Sequence, residues 1–335
     1  ERKQIEKALH ESERKFHDIA RNIPGLVFQF RVRSDGSTYF SYTSPRGGEL
    51  LGLPADQSSP DWELGTLVHP EDRALFFASI TQAIEKRSNW DHVGRIITQA
   101  GELRWFQGIS SPTQIGDELV FDGILLDITE RKQVEAWIEG LNRLKEDLLG
   151  PNGLKKKLTR ITDGAVEIFQ ADFARIWITN PGDLCDSGCI HAMVTEGPHV
   201  CRFRDRCLHL VASSGRYTHT DGKVHRRVPF GAYKIGRVAA GTEVRFVTND
   251  VTHDPRVHDR DWARELGLVS FAGYRLLSAD GEPIGVLSLF SKQTISPEKN
   301  ALLESLANST AQVIQKTKAE EALKRSEKER ATILD

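Results

Sequence analysis

The sequence predicts an α+β chain of two domains, each an antiparallel sheet with flanking helices, joined by long coiled-coil-like linker helices. Three observations predict it. Strand-like runs fall into two groups, within residues 26–127 and 173–290, and short Gly- and Asp-bearing turns punctuate each group. Stretches with apolar residues at alternating steps of four and three bracket and separate these groups, the spacing of a coiled-coil seam. The length, 335 residues, suits two domains of ordinary size.

Composition narrows the class. With 39% hydrophobic and 27% charged residues the chain has the make-up of a soluble globular protein. A net charge of −2 removes any bulk electrostatic case for nucleic acid or an anionic membrane. No apolar run reaches the ~18 residues of a membrane span, and no signal peptide opens the chain. The expected location is the cytoplasm, where clustered thiols favour metal or redox roles over structural disulfides.

In chain order, residues 1–23 read as a helix with its seam at Ile5, Leu9, Ser12, Phe16, Ile19 and Ile23, ended by Pro24-Gly25. Strands Leu26–Val32 and Thr38–Thr43 follow, joined by the turn Ser34-Asp35-Gly36-Ser37. Short Pro- and Gly-punctuated segments run through Trp62. Pro70-Glu71-Asp72 opens a helix whose apolar face is expected at Leu75, Phe76, Ile80 and Ile84. Strands Asp91–Thr98, Leu103–Ser110 and Leu119–Asp127 complete a first domain over 24–129.

A linker helix over 130–150 is expected next, its seam at Val134, Ile138, Leu141, Lys145 and Leu148. Pro151-Asn152-Gly153 interrupts it and Leu154–Phe169 resumes. The second domain, 151–316, takes strands Phe173–Thr179, Leu208–Ala212, Glu243–Val247, Ser270–Leu277 and Ile284–Phe290, the last two a hairpin on Ala279-Asp280-Gly281-Glu282. A last helix starts at Ser296-Pro297-Glu298, with Ser296 as cap, and continues through 317–335.

Two echoes suggest a modular array. Glu1-Arg2-Lys3-Gln4-Ile5-Glu6 returns as Glu130-Arg131-Lys132-Gln133-Val134-Glu135, and residues 6–19 align with 320–333. The chain also begins without methionine. It therefore reads as an interior slice of a longer protein.

All four cysteines fall within residues 183–207, as C-x3-C-x11-C-x5-C at Cys185, Cys189, Cys201 and Cys207. Two close pairs separated by a short span can wrap thiolates around one metal or pair them as redox thiols. The neighbours are Asp, Ser, Gly, His, Pro and Arg, so an inserted loop is expected rather than a core position.

Residues 127–132, Asp-Ile-Thr-Glu-Arg-Lys, resemble the signature that closes a PAS domain. His69-Pro70-Glu71-Asp72-Arg73 and Gly101-Glu102-Leu103-Arg104-Trp105 are similar to that family's mid-domain motifs. Pro229-Phe230-Gly231, Ile235-Gly236-Arg237-Val238-Ala239, Thr248-Asn249-Asp250-Val251 and residues 281–289 resemble a GAF domain. The pairing implies the sensory region of a two-component-type signalling protein, most often a sensor histidine kinase. It would work as a homodimer through its coiled-coil helices, with a kinase core further along the chain and a response regulator as partner. No phosphoacceptor or ATP-lid motif is present, so no catalytic activity is expected of this stretch.

The sensing element is expected at the four cysteines. A four-thiolate centre suits zinc or an iron–sulfur cluster, and the spacing does not decide between them. A metal-free thiol switch is the next reading, with Arg202, Arg204 and Arg206 expected to lower thiol pKa values. Haem is less favoured: His191 and His209 lie beside cysteines, but no C-x-x-C-H attachment motif is present. His191, His199 and His209 are alternative metal ligands or plain solvated loop histidines. Tyr217, His219, His225 and Arg226 are candidate pocket residues. Residues 252–259, Thr-His-Asp-Pro-Arg-Val-His-Asp, read as surface. The first domain holds no cysteine, which excludes a flavin–cysteinyl photosensor. Its Phe28, Phe30, Trp105 and Phe106 read as core.

Overall fold

Period-two alternation builds both sheets. The computed structural model describes residues 10, 15, 18, 20, 22–23, 25–44, 64–197, 199–222, 224–243 and 245–334. It divides into two units, one ending at Gln133 and the other starting at Val134. Of the expected helix over 1–23, positions 10, 15, 18, 20 and 22 are described and helical and Ile23 is a bend; the other positions, and residues 45–63, lie outside the described residues.

The first unit is a five-stranded antiparallel sheet in the order β2-β1-β5-β4-β3, made of β1 (Leu26–Val32), β2 (Thr38–Thr43), β3 (Trp90–Ile97), β4 (Leu103–Ile115) and β5 (Glu118–Asp127). Helices α1 (Leu64–Leu67) and α2 (Arg73–Lys86) accompany it. Leu26, Phe28, Phe76, Ile96, Phe106 and Leu125 form its core. Phe76 carries the inner face of α2 with Ala83, whereas Leu75 is 70% exposed, because it lies one step around the helix from Phe76. Trp105 is also not core: the cations of Arg95 and Lys132 sit 5.8 and 5.7 Å from its ring. Arg95 donates to Asp72 and Glu71, which ties the start of α2 to β3.

The second unit is a six-stranded antiparallel sheet in the order β8-β7-β6-β11-β10-β9. Its strands are β6 (Phe173–Asn180), β7 (Cys207–Gly215), β8 (Arg227–Val228), β9 (Arg245–Thr248), β10 (Ser270–Leu277) and β11 (Pro283–Ser291). Its helices are α3 (Thr129–Asp147, from Val134 on), α4 (Leu154–Phe169), α5 (Tyr233–Ala240), α6 (Arg260–Glu265) and α7 (Pro297–Leu334). Ser296 caps α7, its Oγ accepting from Lys299 N at 3.2 Å.

Both faces of this sheet are covered, so β6 reads as a near-continuous apolar run. Ala174, Ile176 and Ile178 join the core with α3, α4 and α7. Phe173 and Trp177 join the opposite core, with residues of α5 and α6. Arg175 shares their side of β6.

The expected linker seam is only half used. Leu141 and Leu148 are buried, while Ile138 is 43% exposed and Lys145 is exposed. The working face is Trp137, Leu141, Leu144 and Leu148, turned onto the α4/α7 core. Glycines permit this approach: a Cβ on Gly164 would meet Leu144 Cδ2 at 2.7 Å, and one on Gly140 would meet Ile168 at 3.0 Å. The end of α3 is thus a helix of this core.

Candidate functional site

The cysteine segment leaves β6 at Asn180 and returns as β7 at Cys207, with a single 3₁₀ turn at Ile190–Met193. Asp183 anchors its start, taking a bidentate pair from Arg227 of β8 (Nε–Oδ1 2.7 Å) that holds the carboxyl down to about 2. Gly182 passes against the backbone, where a Cβ would meet Arg204 O at 2.4 Å and Cys185 Sγ at 2.8 Å.

Cys185, Cys189 and Cys201 are half-buried, but Cys207 opens a strand opposite Asn180 and is buried, so the loop expectation fails for that residue. The thiols share one neighbourhood. Burial chiefly raises Cys201, and Cys185 and Cys189 add to it. Burial likewise pushes Cys207 up to about 12, again with contributions from Cys185 and Cys189. The expected lowering by arginine is therefore overturned for these two: Arg204 on Cys201 and Arg227 on Cys207 act in the lowering direction but lose to desolvation. Four thiols on one segment are the donor types that zinc and iron–sulfur clusters take. As they stand, no three His, Cys, Asp or Glu side chains among the described residues converge in ligand geometry.

The three histidines are not solvated loop residues. His191 is 1% exposed, its Nε2 3.1 Å from Val224 O. His209 pairs Nε2 with Pro181 O at 2.9 Å. His199 lies flat on Tyr233, ring centroids 3.9 Å apart, and its Nδ1 accepts from Tyr233 N at 3.4 Å. His191 meets the same ring edge-on at 5.4 Å. Tyr233 has φ 52°, a left-handed conformation that is costly for a bulky residue. Packing holds it there. Gly231 donates to Gly236 O, and Gly236 sits so close to Pro229 that a Cβ would meet its O at 2.1 Å.

Tyr233 is also a wall of a cavity of about 270 Å³ on the α5/α6 side of the sheet. Tyr217, His219 and His225 line it, whereas Arg226 lines a neighbouring cavity with Cys189 and His191. His258 and Asp259 stay exposed, as does His253, yet the first two also edge this cavity, and Val257 between them and Arg256 is buried. Burial, with Arg175 and Lys234 nearby, pushes His225 down to about 3. Burial, with Lys234 and His199 nearby, pushes His258 down to about 4. Both are neutral at pH 7 and offer hydrogen bonds rather than charge.

Two cavity residues carry the charge, and sequence reasoning missed both. Arg175 is 6% exposed, its Nε donating to Ser213 Oγ at 3.2 Å and its guanidinium 5.4 and 5.2 Å from the Phe173 and Tyr217 rings. Lys234 is 5% exposed, its Nζ 5.2 and 5.0 Å from the Phe271 and Phe290 rings. Burial lowers it to about 8, which leaves it protonated at neutral pH. Among the described residues no carboxylate lies within ion-pair distance of either, though Asp259 opposes the effect of burial on Lys234. The available signal was Arg175 itself, a lone charge on the Phe173/Trp177 side of an otherwise apolar strand.

The GAF domain family model matches residues 154–314, and the PAS fold model matches residues 40–124. The chain is 25% identical over 322 residues to the methyl sulfide methyltransferase-associated sensor of Methanosarcina acetivorans, covering 93% of this chain and 30% of that protein. It is 31% identical over 137 residues to an uncharacterized protein of Sinorhizobium fredii, covering 40% of this chain and 16% of that one. The chain thus spans less than a third of the length of these curated relatives. The GAF domain of a phosphoenolpyruvate-protein phosphotransferase from Coxiella burnetii aligns with 56% of this chain and 98% of its own, at TM-score 0.42 and 22% identity. Among the described residues, no helix is long and apolar enough to cross a membrane. The chain holds one domain from each of two sensory families, a PAS fold over residues 40–124 followed by a GAF domain over residues 154–314.

Proposed function

We propose that this PAS–GAF chain is the sensory region of a two-component-type signalling protein that reads redox state or a gas at Cys185, Cys189, Cys201 and Cys207. These four thiols would hold an iron–sulfur cluster or a zinc ion, the first supplying one-electron redox chemistry and the second a fixed fold for the segment. One observation supports the reading: all four thiols lie on the single segment between β6 and the start of β7, and that segment is seated through His199 against the GAF cavity wall. Rearrangement of the segment around Cys201 moves His199, two residues away, and with it Tyr233. The strands that bracket the segment, β6 and β7, pack on α4, so a shift there reaches the α4/α7 helices. Those helices would relay it, in a homodimer, to a histidine kinase further along the same protein and so to a response regulator. A few kcal/mol between two helix arrangements is enough to switch populations.

The test is a UV–visible spectrum with metal analysis on protein purified without oxygen. Iron, sulfide and broad absorbance near ~400 nm support the cluster. About one zinc per chain makes the segment structural. A sharp Soret band transfers the case to haem. Metal-free protein with four titratable thiols sinks the metal centre. A second reading, a small-molecule sensor with a structural cysteine segment, is favoured by the cavity of about 270 Å³ beside it.

A further inference from the structure

Burying a cation without a carboxylate partner costs free energy, and folded proteins rarely tolerate it without compensation. The GAF cavity does so twice. Arg175 and Lys234 are each more than nine-tenths buried, both line the same space, and neither lies within ion-pair distance of a carboxylate among the described residues, although Asp259 is near enough to favour the charge on Lys234. Across the sheet, Arg175 is flanked by Ser213 and Ser288, small neighbours that leave its guanidinium facing the cavity. The one carboxylate among the described lining residues, Asp259, is engaged as the cap of α6, where it accepts from Trp262 N at 3.1 Å. The remaining walls include Trp177, Tyr217, Tyr233, Trp262 and Phe290. The cavity, about 270 Å³, far exceeds the ~10–15 Å³ that one water needs on the same measure.

We propose that this cavity binds a small organic carboxylate with a flat aromatic body, its carboxylate held by Arg175 and Lys234 and its ring stacked among the aromatic walls. The anion supplies a close partner for both cations, whose own burial strengthens charge-assisted hydrogen bonds. Neutral His225 and His258 add donors and acceptors without competing for the charge. The inference rests on the GAF domain being the sensing module, and it needs no metal at the cysteines.

The test is isothermal titration of the full 335-residue protein with benzoate, phenyl phosphate and benzamide. Benzoate should saturate, and neutral benzamide should bind at least about tenfold more weakly. Arg175→Met and Lys234→Met should each weaken benzoate by about tenfold or more and leave benzamide unchanged. Without ligand, Lys234→Met should melt at or above the parent protein, because an uncompensated buried cation gives way to an apolar chain of similar length. Equal binding of benzoate and benzamide, no benzoate binding up to about 10 mM, or a Lys234→Met protein that melts well below the parent would each overturn the proposal. Phenyl phosphate binding about tenfold tighter than benzoate would overturn the carboxylate assignment in favour of a phosphate ester. Failure of the metal reading appears as absent metal and leaves these titrations intact.

Discussion

Leu144→Ala tests whether the linker helix is part of the GAF core or free to pair with another chain. Leu144 is 1% exposed and packs with Leu141, Leu148, Leu158 and Ile161. It also lies directly on Gly164, where a Cβ would come within 2.7 Å of it. A glycine backbone cannot move in to fill the space that Leu144 leaves. The loss should therefore sit in the middle of the range for buried Leu→Ala changes, about 3–4 kcal/mol. For a domain of this size that lowers the GAF melting transition by roughly 10 °C. Ile138→Ala, on the seam that the heptad spacing favours but 43% exposed, should cost less than about 1 kcal/mol. Calorimetry that separates the two domain transitions, repeated over a range of protein concentration, checks both variants. If Ile138→Ala proves the costlier and its effect depends on concentration, the helix is held by a second chain and the intrachain packing argument is wrong.

Acid should weaken the GAF domain before its carboxylates titrate. His258 falls from 6.5 to about 4 on folding, and His225 from 6.5 to about 3. Between those values and 6.5 the unfolded chain binds more protons, so stability is full above pH 6.5 and falls as pH drops toward 4. Urea midpoints at pH 7.5 and pH 5 should differ, and His258→Asn should shrink the difference; an equal difference in variant and parent would count against a lowered His258. Asp183 and Asp254, held down to about 2 by Arg227 and Arg256, add a separate loss only below their ordinary 3.8. Gly236→Ala should cost more than about 2 kcal/mol, since its Cβ meets Pro229 O, a backbone atom that cannot swing aside. A melting temperature within a degree or two of the parent's would mean that the 229–236 loop shifts freely.

The elements were legible because local rules and tertiary packing agree over most of the chain. Strands Leu26–Val32, Thr38–Thr43 and Ser270–Leu277 fall where alternation and turn residues put them, and helix Leu154–Phe169 lies between Gly153 and a left-handed Gln170. The face of the linker helix was not legible. Its sequence offers two apolar stripes a fraction of a turn apart, and the choice of Leu144 over Lys145 depends on Gly140 and Gly164 meeting across two helices. The cavity was half legible for a similar reason. Tyr217, His219 and His225 stand out as aromatic and titratable residues beside a family-like motif, but Lys234 looks like an ordinary surface lysine until α5 is folded against β11. The cysteines were visible as a cluster, while their protonation depends on burial, which spacing cannot report.

Tyr233 gives the two proposals a shared consequence. Its ring forms part of the cavity wall on one side and carries the His199 imidazole of the cysteine segment on the other. Its backbone is held at φ 52° by the tight Pro229–Gly236 approach, so the ring has little freedom to adjust independently of either neighbour. A ligand that favours one position of the ring must favour one position of the segment, and linkage makes the effect reciprocal. Benzoate affinity and the redox midpoint or metal affinity of the cysteines should therefore shift together, each by the same factor. Tyr233→Ala should remove that coupling while leaving four thiols and two cations in place. If benzoate affinity is the same with the cysteines metal-loaded and metal-free in the parent protein, the segment and the cavity act independently, and Tyr233 is only a wall.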